Sequence, residues 1–340
     1  MGGRACVVVL NWNGREFIRD CLRSALAQTY PDNRVIVVDN ASTDGSRDTV
    51  RHEFPEATLV PLPENLHFAR GTNAGVDEAL RDPKCDYVVT LNNDTRVEPD
   101  WLAELVRGAA ETGVGSVASK LVFMDRPHVI NSAGICIARD GSGLDRGWLA
   151  RDDGHLDTAL DVFGASAGAA LYRREVFEKV GTFDGDFVAY YEDLDLAWRA
   201  RLAGWSSRFA PGSVVHHKYS GSSSPRSPWK TYQGERNRIW NLVQNYPMRH
   251  VALSVPWNAA RLMTAVARRF GRRHGRGDSA EARGDSLASA FARGRLDGYA
   301  GLRRAFAKRT SRAAYRVADT ATVERWFRSY GVGIRGMPVG

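Results

Sequence analysis

The sequence predicts an α/β fold, in which a mostly parallel β-sheet is flanked by helices and followed by a basic helical extension. Over about the first 125 residues, short apolar runs alternate with segments whose apolar residues recur at helical spacing. Polar clusters follow three of the apolar runs, where buried strands are expected to end. The balance of charge also changes sign near residue 247. Alternating strands and helices are typical of a parallel sheet with helices on its faces.

The first strand is predicted at ACVVVLN, and the helix after it has Phe17, Cys21 and Leu26 at helical spacing. Ligands of parallel sheets collect beyond the carboxyl ends of the strands. We therefore expect NWNG, DNASTDGS and NNDT, which follow three strands, to open on one crevice. The further predicted strands are RVIVVDN, TLVPL and DYVVTLNND, and the further predicted helices are DGSRDTVRHEF, FARGTNAGVDEAL and PDWLAELVRGAA.

The second half of the chain contains one strongly patterned helix. Residues 126–160 are rich in Gly and Asp, which favours a hairpin or a flexible loop over the sheet. In YYEDLDLAWRARLAGW, three apolar side chains fall on one helix face and Gly204 is expected to end the helix. Asp195 and Arg199 are four residues apart, so we expect an ion pair between them. The apolar face consists of Leu194, Trp198 and Leu202.

Composition is that of a globular protein, with 43% apolar and 25% charged residues among 340. Residues 248–340 carry 19 Lys and Arg against 6 Asp and Glu, whereas residues 1–247 carry 28 against 33. We predict an acidic catalytic domain at 1–247 and a basic, largely helical extension at 248–340. Such a basic segment suits an anionic partner; the alternative is a solvated tail without one.

Cysteine spacing and the N-terminal residues predict a cytoplasmic protein. The four cysteines lie far apart with no C-x-x-C pair, which indicates free thiols in a reducing compartment. The first residues already form a strand and a loop, and they lack the pattern of a signal peptide.

Six motifs together resemble the inverting family 2 glycosyltransferases, within their rhamnosyltransferase-like branch. They are VVVLNWNG, VIVVDNASTDGS, NLHFARGTNAG, TLNNDT, GASAGAALYRREVFEKVGTFDGDF and EDLDLAWRARLAGW, and the resemblance covers about residues 5 to 247. It implies a GT-A fold, a nucleotide-sugar donor and Mg²⁺ or Mn²⁺. It also implies transfer to a glycan or polyprenyl-diphosphate-linked acceptor in cell-surface polysaccharide synthesis. The rhamnosyltransferase branch suggests L-rhamnose from dTDP-rhamnose by analogy.

Five polar or charged residues are candidates for donor binding. Asp39 stands where the family binds the base, and a carboxylate can accept the imide N–H of uracil or thymine; the alternative is a helix cap. Asn11 and Asn13 offer amides to the nucleoside or only shape a turn. Asn73 can line the nucleotide pocket, or belong to an ordinary helix start. A guanidinium suits a diphosphate, so Arg236 is a candidate clamp, with plain helix surface as the alternative.

The NND cluster stands where the family carries its metal-binding D-x-D type motif. Asp94 is its only carboxylate, and Asn92 and Asn93 are expected beside the donor. Hard oxygen ligands hold Mg²⁺ or Mn²⁺ and help the departure of a nucleoside diphosphate. His217 matches a histidine that follows the catalytic carboxylates in many relatives, and we expect it to complete the metal shell. The alternatives are a simple turn and a structural histidine, with His216 as a competitor.

Glu192 and Asp193 precede a helix and are the candidate catalytic residues. By resemblance Asp193 is the base that takes the proton of the acceptor hydroxyl, and Glu192 positions the acceptor or the base. The alternative is that both acids only complement the helix dipole.

The segment 248–276 is expected at a membrane surface. Its longest uncharged stretch is too short to span a bilayer. Its apolar residues with nearby arginines suit the anionic inner leaflet, and the alternative is packing on the catalytic domain or between two subunits. The residues concerned are Val251, Val255, Trp257, Leu262, Val266, Arg261, Arg268, Arg269, Arg272 and Arg273.

Three other function classes compete with this interpretation. A catalytically inactive module of the same fold, binding a nucleotide or glycan, is the main alternative to an enzyme, although the intact carboxylates argue against it. No recognition motif or aromatic platform accompanies the arginines, which argues against nucleic acid as a partner. The sequence near the N-terminus lacks the Gly-rich basic phosphate loop that is typical of sugar nucleotidyltransferases, which argues against that class.

Overall fold

A computed structural model describes residues 3–219, 227–271 and 286–332, and it confirms the predicted α/β fold. Six strands of its large sheet run in one direction, and β11 is inserted among them in the opposite direction. The order across the main sheet is β10-β12-β6-β11-β4-β1-β2-β3. The strands are β1 (Arg4–Asn11), β2 (Asn33–Asp39), β3 (Thr58–Pro61), β4 (Cys85–Asn92), β5 (Thr95–Val97), β6 (Val114–Phe123), β7 (Arg126–Ser132), β8 (Ile135–Ile137), β9 (Gly143–Asp145), β10 (Asp161–Val162), β11 (Ala169–Arg173) and β12 (Ser206–His217).

Helices cover both faces of this sheet and form a separate C-terminal group. The helix predicted from Leu194, Trp198 and Leu202 begins at Glu192, and Gly204 follows it with a φ of 98°. The helices are α1 (Ile18–Leu26), α2 (Ser46–Glu53), α3 (His67–Leu80), α4 (Trp101–Gly108), α5 (Arg174–Val180), α6 (Glu192–Leu202), α7 (Pro228–Asn245), α8 (Met248–Gly271), α9 (Leu287–Ala300), α10 (Leu302–Ser311) and α11 (Thr320–Ser329), with 3₁₀ turns at Gly185–Phe187 and Arg312–Ala314.

Strand alternation divides the core into two layers. Val7 and Val9 of β1 pack on the face that α1 and α4 cover, whereas Cys6 and Val8 point to the face of α3, α5 and α6. A strand that is buried on both faces needs a continuous apolar run, which is what the sequence shows. The region 126–160 contains the predicted hairpin, formed by β8 and β9. All four cysteines are free thiols.

The C-terminal helices pack against α6 and α7. Gly294 of α9 lies so close to α7 that an added Cβ would meet the Tyr232 carbonyl oxygen at 2.4 Å. Phe163, Trp198 and Phe327 belong to a third apolar cluster that joins α6 to α11. The boundary proposed at residue 247 falls in the turn between α7 and α8. Within the described ranges, no helix combines the length and apolarity that a membrane span requires.

A buried ion cluster centred on Asp195 links α6, α7 and the C-terminal group. The predicted pair with Arg199 is confirmed at 2.8 Å. Arg312, beyond α10, donates to the same carboxylate at 2.7 Å, and Asn245 of α7 donates at 2.9 Å. Burial raises the pKa of Asp195, but the charges of Arg312 and Arg199 outweigh that effect and lower it to about 2. The carboxylate is fully buried and remains ionised.

Asp195→Asn should therefore lower the free energy of unfolding by about 3–5 kcal/mol, because two buried guanidinium groups lose their counter-charge. Urea unfolding followed by circular dichroism measures it. Asp20→Asn, which alters an exposed pair with Arg23, is the control and should cost less than about 0.5 kcal/mol. The folded-state pKa lies below the unfolded value of about 3.9, so the contribution is present above pH ~4 and is lost as the pH falls toward 2. Equal losses in both variants would contradict a central role for Asp195.

Candidate active site

A cavity of about 950 Å³ opens at the carboxyl ends of the central strands. Asn92, Asn93 and Asp94 line it at the end of β4, together with Trp12 of the loop after β1 and Asn40 of the loop after β2. The structure therefore brings the three polar clusters to one crevice, as the parallel sheet requires. The volume lies at the upper end of small-molecule sites, so the cavity has room for more than one ligand group.

Asp94 and His217 face each other across one side of this cavity. The Oδ1 of Asp94 lies 3.2 Å from the Nε2 of His217, and both residues are buried. The Nδ1 of His217 lies 2.8 Å from the side-chain oxygen of Asn131, which can only accept. Nδ1 can therefore donate to Asn131, and Nε2 is the ring nitrogen that faces Asp94.

This pair fits a divalent ion. Adjacent ligands of an octahedral Mg²⁺ or Mn²⁺ lie about 3 Å apart when the metal–ligand distances are about 2.1 Å. Asn92 is within 3.5 Å of the same histidine nitrogen. No cluster of three or more His, Cys, Asp or Glu suited to a metal occurs in the described part of the chain. Asp94 and His217 would be two ligands, and the remaining positions suit phosphate oxygens and water. His216 is not part of this pair, since its Nε2 contacts Glu98 at 2.7 Å.

Glu192 and Asp193 lie at the first turn of α6, on another wall of the cavity. Tyr190 and Tyr191 precede them with φ values of 65° and 75°, a conformation that costs non-glycine residues on the order of 1–3 kcal/mol each. Asn237 of α7 secures this turn, because its amide nitrogen lies 2.7–2.9 Å from the carbonyls of Phe187, Ala189 and Tyr190. The strained turn directs the start of α6 at the cavity.

The environment separates the two carboxyl groups chemically. Burial, and then the charge of Asp193, raise the pKa of Glu192 well above its usual value. Burial also raises the pKa of Asp193, but the main-chain N–H groups of Ala167 and Leu194 donate to it at 3.2 and 2.7 Å and oppose that rise. Two adjacent buried carboxyl groups do not readily both ionise. The two main-chain N–H groups therefore favour Asp193 as the ionised member of the pair, and the raised pKa of Glu192 favours its protonated form.

Asp39, Asn11 and Asn93 form a hydrogen-bonded group at the ends of β1, β2 and β4. Asn93 donates to the side-chain oxygen of Asn11 at 2.9 Å, and the amide nitrogen of Asn11 lies 3.4 Å from the fully buried carboxylate of Asp39. Ser42 also donates its main-chain N–H to Asp39 at 3.3 Å. Asn13 lies outside this group, and it ties the two loops together by accepting from the Thr43 N–H at 2.8 Å.

Asn73 and Arg236 do not line the cavity. The Asn73 amide exchanges two hydrogen bonds with the main chain of Phe183, at 2.7 and 3.0 Å. Arg236 donates to the carbonyls of Asp186 and Phe187, and its guanidinium lies 4.6 Å from the ring centroid of Trp240. Both side chains hold the segment that leads into α6, so their polar groups are engaged there and not with the cavity.

Two charged residues of the cavity were missed by the sequence analysis. Asp145 lies in β9, and burial raises its pKa to about 6 although the Ser132 hydroxyl opposes this. Lys230 lies in the first turn of α7, between the rings of Tyr219 and Tyr190. Asp145 falls in the Gly- and Asp-rich region, where nothing in the pattern singles out one acid. Lys230 follows a Ser- and Pro-rich stretch, and only the path of α7 brings it to the site.

Comparison with known proteins gives one family match and several relatives. Residues 6–181 match the family described as Glycosyl transferase family 2. The O-antigen biosynthesis protein RfbC of Myxococcus xanthus is 28% identical over 252 residues, which are 70% of this chain and 20% of that protein. The N-acetylglucosaminyl-diphospho-decaprenol L-rhamnosyltransferase of Mycobacterium tuberculosis is 27% identical over 236 residues, 62% of this chain and 75% of that protein. The chain thus spans about a fifth of the first relative.

Two solved structures with a similar fold are described as complexes with a nucleotide or a nucleotide sugar and Mn²⁺. A mannosyltransferase from Pyrobaculum calidifontis in complex with GDP-Man and Mn²⁺ matches with a TM-score of 0.50 and 20% identity, over 98% of this chain and 82% of that one. GalNAc-T7 with UDP, GalNAc and Mn²⁺ matches with a TM-score of 0.57 and 13% identity, over 72% and 48%. At such identities the likeness concerns the fold alone, and it agrees with the GT-A fold that the motif resemblance implies.

Proposed function

The chain belongs to glycosyl transferase family 2, and on that premise we propose that it is a metal-dependent, inverting glycosyltransferase. It transfers a sugar from a nucleoside-diphosphate donor to a glycan or polyprenyl-diphosphate-linked acceptor in cell-surface polysaccharide synthesis. The observation that carries the proposal is the Asp193 carboxylate, which two main-chain N–H groups stabilise in the same cavity as the Asp94–His217 pair.

Asp193 is the base of a single displacement. Its carboxylate takes the proton of the acceptor hydroxyl as the oxygen attacks the anomeric carbon from the face opposite the diphosphate. The bond from the anomeric carbon to the phosphate oxygen breaks, and its electron pair leaves with the nucleoside diphosphate. One displacement inverts the configuration. Glu192, which keeps its proton, can donate to the acceptor or to Asp193 and so position either group.

The charges around the cavity support a cation at this site. The acidic side chains among its described lining residues are those of Asp94, Asp145, Glu192 and Asp193, and Lys230 is the basic one among them besides histidines. A nucleoside diphosphate adds further negative charge. Asp94 and His217 would hold Mg²⁺ or Mn²⁺, and the bound ion supplies positive charge that stabilises the departing diphosphate.

The proposed donor is dTDP-L-rhamnose. The support is the similarity to the mycobacterial relative, whose name describes an L-rhamnosyltransferase acting on N-acetylglucosaminyl-diphospho-decaprenol. Asp39 is the proposed partner of the base imide, with Asn11 and Asn93 holding its position. Asn13 acts by shaping the loop beside them.

The protein is proposed to bind anionic lipid at the inner face of the plasma membrane. Leu253, Val255 and Met263 of α8 have exposed fractions of 63–66%, and this apolar surface suits the interface of a bilayer. The side chains of Trp257, Arg261, Leu262, Val266, Arg268 and Arg269 lie outside the described part of the chain, as do residues 272 and 273. The alternatives for α8 are packing on the catalytic domain, where Asn258 accepts from Arg238 of α7 at 2.8 Å, and a contact between two subunits.

Asp193→Asn should keep donor binding and lose transfer by a factor on the order of 10²–10⁴, because the amide cannot accept the acceptor proton. Calorimetry with dTDP and product release from dTDP-rhamnose measure the two properties. Glu192→Gln is the matched control; it imitates a protonated carboxyl and should lose less than about tenfold. Near-normal turnover of Asp193→Asn would rule out its role as base. Donor binding without any transfer or hydrolysis by the unchanged protein would favour the inactive module.

EDTA should abolish transfer, and added Mn²⁺ or Mg²⁺ should restore it. Asp94→Ala and His217→Ala should remove the dependence of dTDP affinity on Mn²⁺, since each deletes a proposed ligand. Asn131→Ala, which leaves both ligands in place but frees the histidine ring, should weaken Mn²⁺ binding by about 10- to 100-fold. Calorimetric titration of Mn²⁺ in the presence of dTDP provides the measurement. Full activity in the chelator would show that the pair serves only to hold the turn.

The protein should sediment with liposomes that contain anionic lipid, and moderate salt should release it. Replacing Leu253, Val255 and Met263 by Ser should abolish this binding. Truncation at residue 247 is a poor test, because it removes Arg312 from the buried Asp195. Val317→Ser changes another exposed apolar residue, away from α8, and is the control. A full-length protein that stays in the supernatant at low salt would contradict this placement.

A further inference from the structure

Lys230 reaches the cavity from the first turn of α7. The Ser227 hydroxyl caps this helix by accepting the main-chain N–H of Lys230 at 3.1 Å. Ser227, Trp229 and Lys230 all line the cavity, so the helix presents its N-terminal end there. The dipole of a long helix adds positive potential at that end, which favours an anion nearby. The 18 residues of α7 make it one of the longer helices of the chain.

Two aromatic rings fix the direction of the Lys230 side chain. Its ammonium lies 5.5 Å from the ring centroid of Tyr219 and 6.0 Å from that of Tyr190. These distances are within the range of cation–π attraction. The Tyr219 ring in turn lies 5.9 Å from the His217 ring. The ammonium is therefore held on the side of the cavity that carries the Asp94–His217 pair.

Lys230 can supply the positive charge for the donor diphosphate that the sequence analysis expected from Arg236. Arg236 stands six residues further along the same helix, but it donates to the carbonyls of Asp186 and Phe187. Lys230 instead lies among cavity residues that include Asp94; burial lowers the pKa of Lys230, and the charge of Asp94 opposes that shift. An ammonium has three N–H donors and no acceptor, which suits phosphate oxygens.

We propose that Lys230 binds the diphosphate of the donor and stabilises it as the leaving group. When the bond between the anomeric carbon and the phosphate oxygen breaks, the electron pair stays on that oxygen. The N–H groups of Lys230 donate to the diphosphate oxygens, and no proton needs to be transferred to them. This inference rests on the proposed function, and it assigns the protein's own share of leaving-group stabilisation to one side chain.

Calorimetry on the full chain tests this inference with dTDP, UDP, GDP and thymidine in the presence of Mn²⁺. Lys230→Gln should weaken the affinity for the preferred diphosphate by about 10- to 100-fold and leave thymidine affinity within about twofold, because only the diphosphate loses a charged donor. Lys230→Arg should recover most of the loss. Lys179→Gln, on the exposed side of α5, removes the same charge away from the cavity and should change neither affinity.

Four results decide the matter. A selective loss of diphosphate affinity in Lys230→Gln, with recovery in Lys230→Arg, supports the inference. Unchanged diphosphate affinity in Lys230→Gln, while Asp94→Ala loses it, overturns the role of Lys230 and leaves the proposed function standing. An equal loss for thymidine and the diphosphate also overturns it, because the effect is then on the structure of the pocket. If the unchanged protein binds none of the three diphosphates, the proposed function falls together with this inference.

Discussion

The buried carboxylate of Asp195 holds the candidate active site together. It is fully inaccessible to solvent, and it accepts hydrogen bonds from Arg199, Arg312 and Asn245. These three residues come from α6, the C-terminal group and α7. Removing one partner from such a cluster leaves an uncompensated charge in the protein interior, which is costly. The position of α6, and with it the position of Asp193, therefore depends on a residue more than a hundred positions away in the chain.

Glu192, Asp193 and Asp195 all lie in the first turn of α6, but their carboxyl groups have different surroundings and therefore different roles. Asp195 is surrounded by guanidinium groups, which lower its pKa to about 2. In the described part of the chain no guanidinium group bonds to Glu192, and burial raises its pKa. Asp193 accepts two main-chain N–H groups and retains an open side toward the cavity. The same residue type thus serves as a structural anion at one position and as a candidate base two positions earlier.

Local sequence pattern predicted the features that depend on local structure. The apolar runs of β1, β2 and β4 and the Asp195–Arg199 pair lie within short stretches, so periodicity identifies them. Asn73 and Arg236 were expected at the donor because their residue types suit it, yet the folded chain turns both toward the segment before α6. Lys230 could not be identified in the same way. Its relation to the Asp94–His217 pair arises from tertiary packing and leaves no periodic signal.

Many arginines of the basic C-terminal region form hydrogen bonds and ion pairs within the protein, so they are not available to a partner. Arg295 donates to Glu235, Arg309 donates to the Val243 and Tyr246 carbonyls, and Arg316 donates to a carbonyl of its own segment. Arg295, Arg309 and Arg312 thus anchor the C-terminal helices to α6 and α7. The formal charge of the region thus overstates what is available to an anionic surface. If α8 binds a membrane, its exposed apolar residues must supply much of the affinity. The C-terminal helices that pack on α6 and α7 would then fix the orientation of the cavity relative to the membrane.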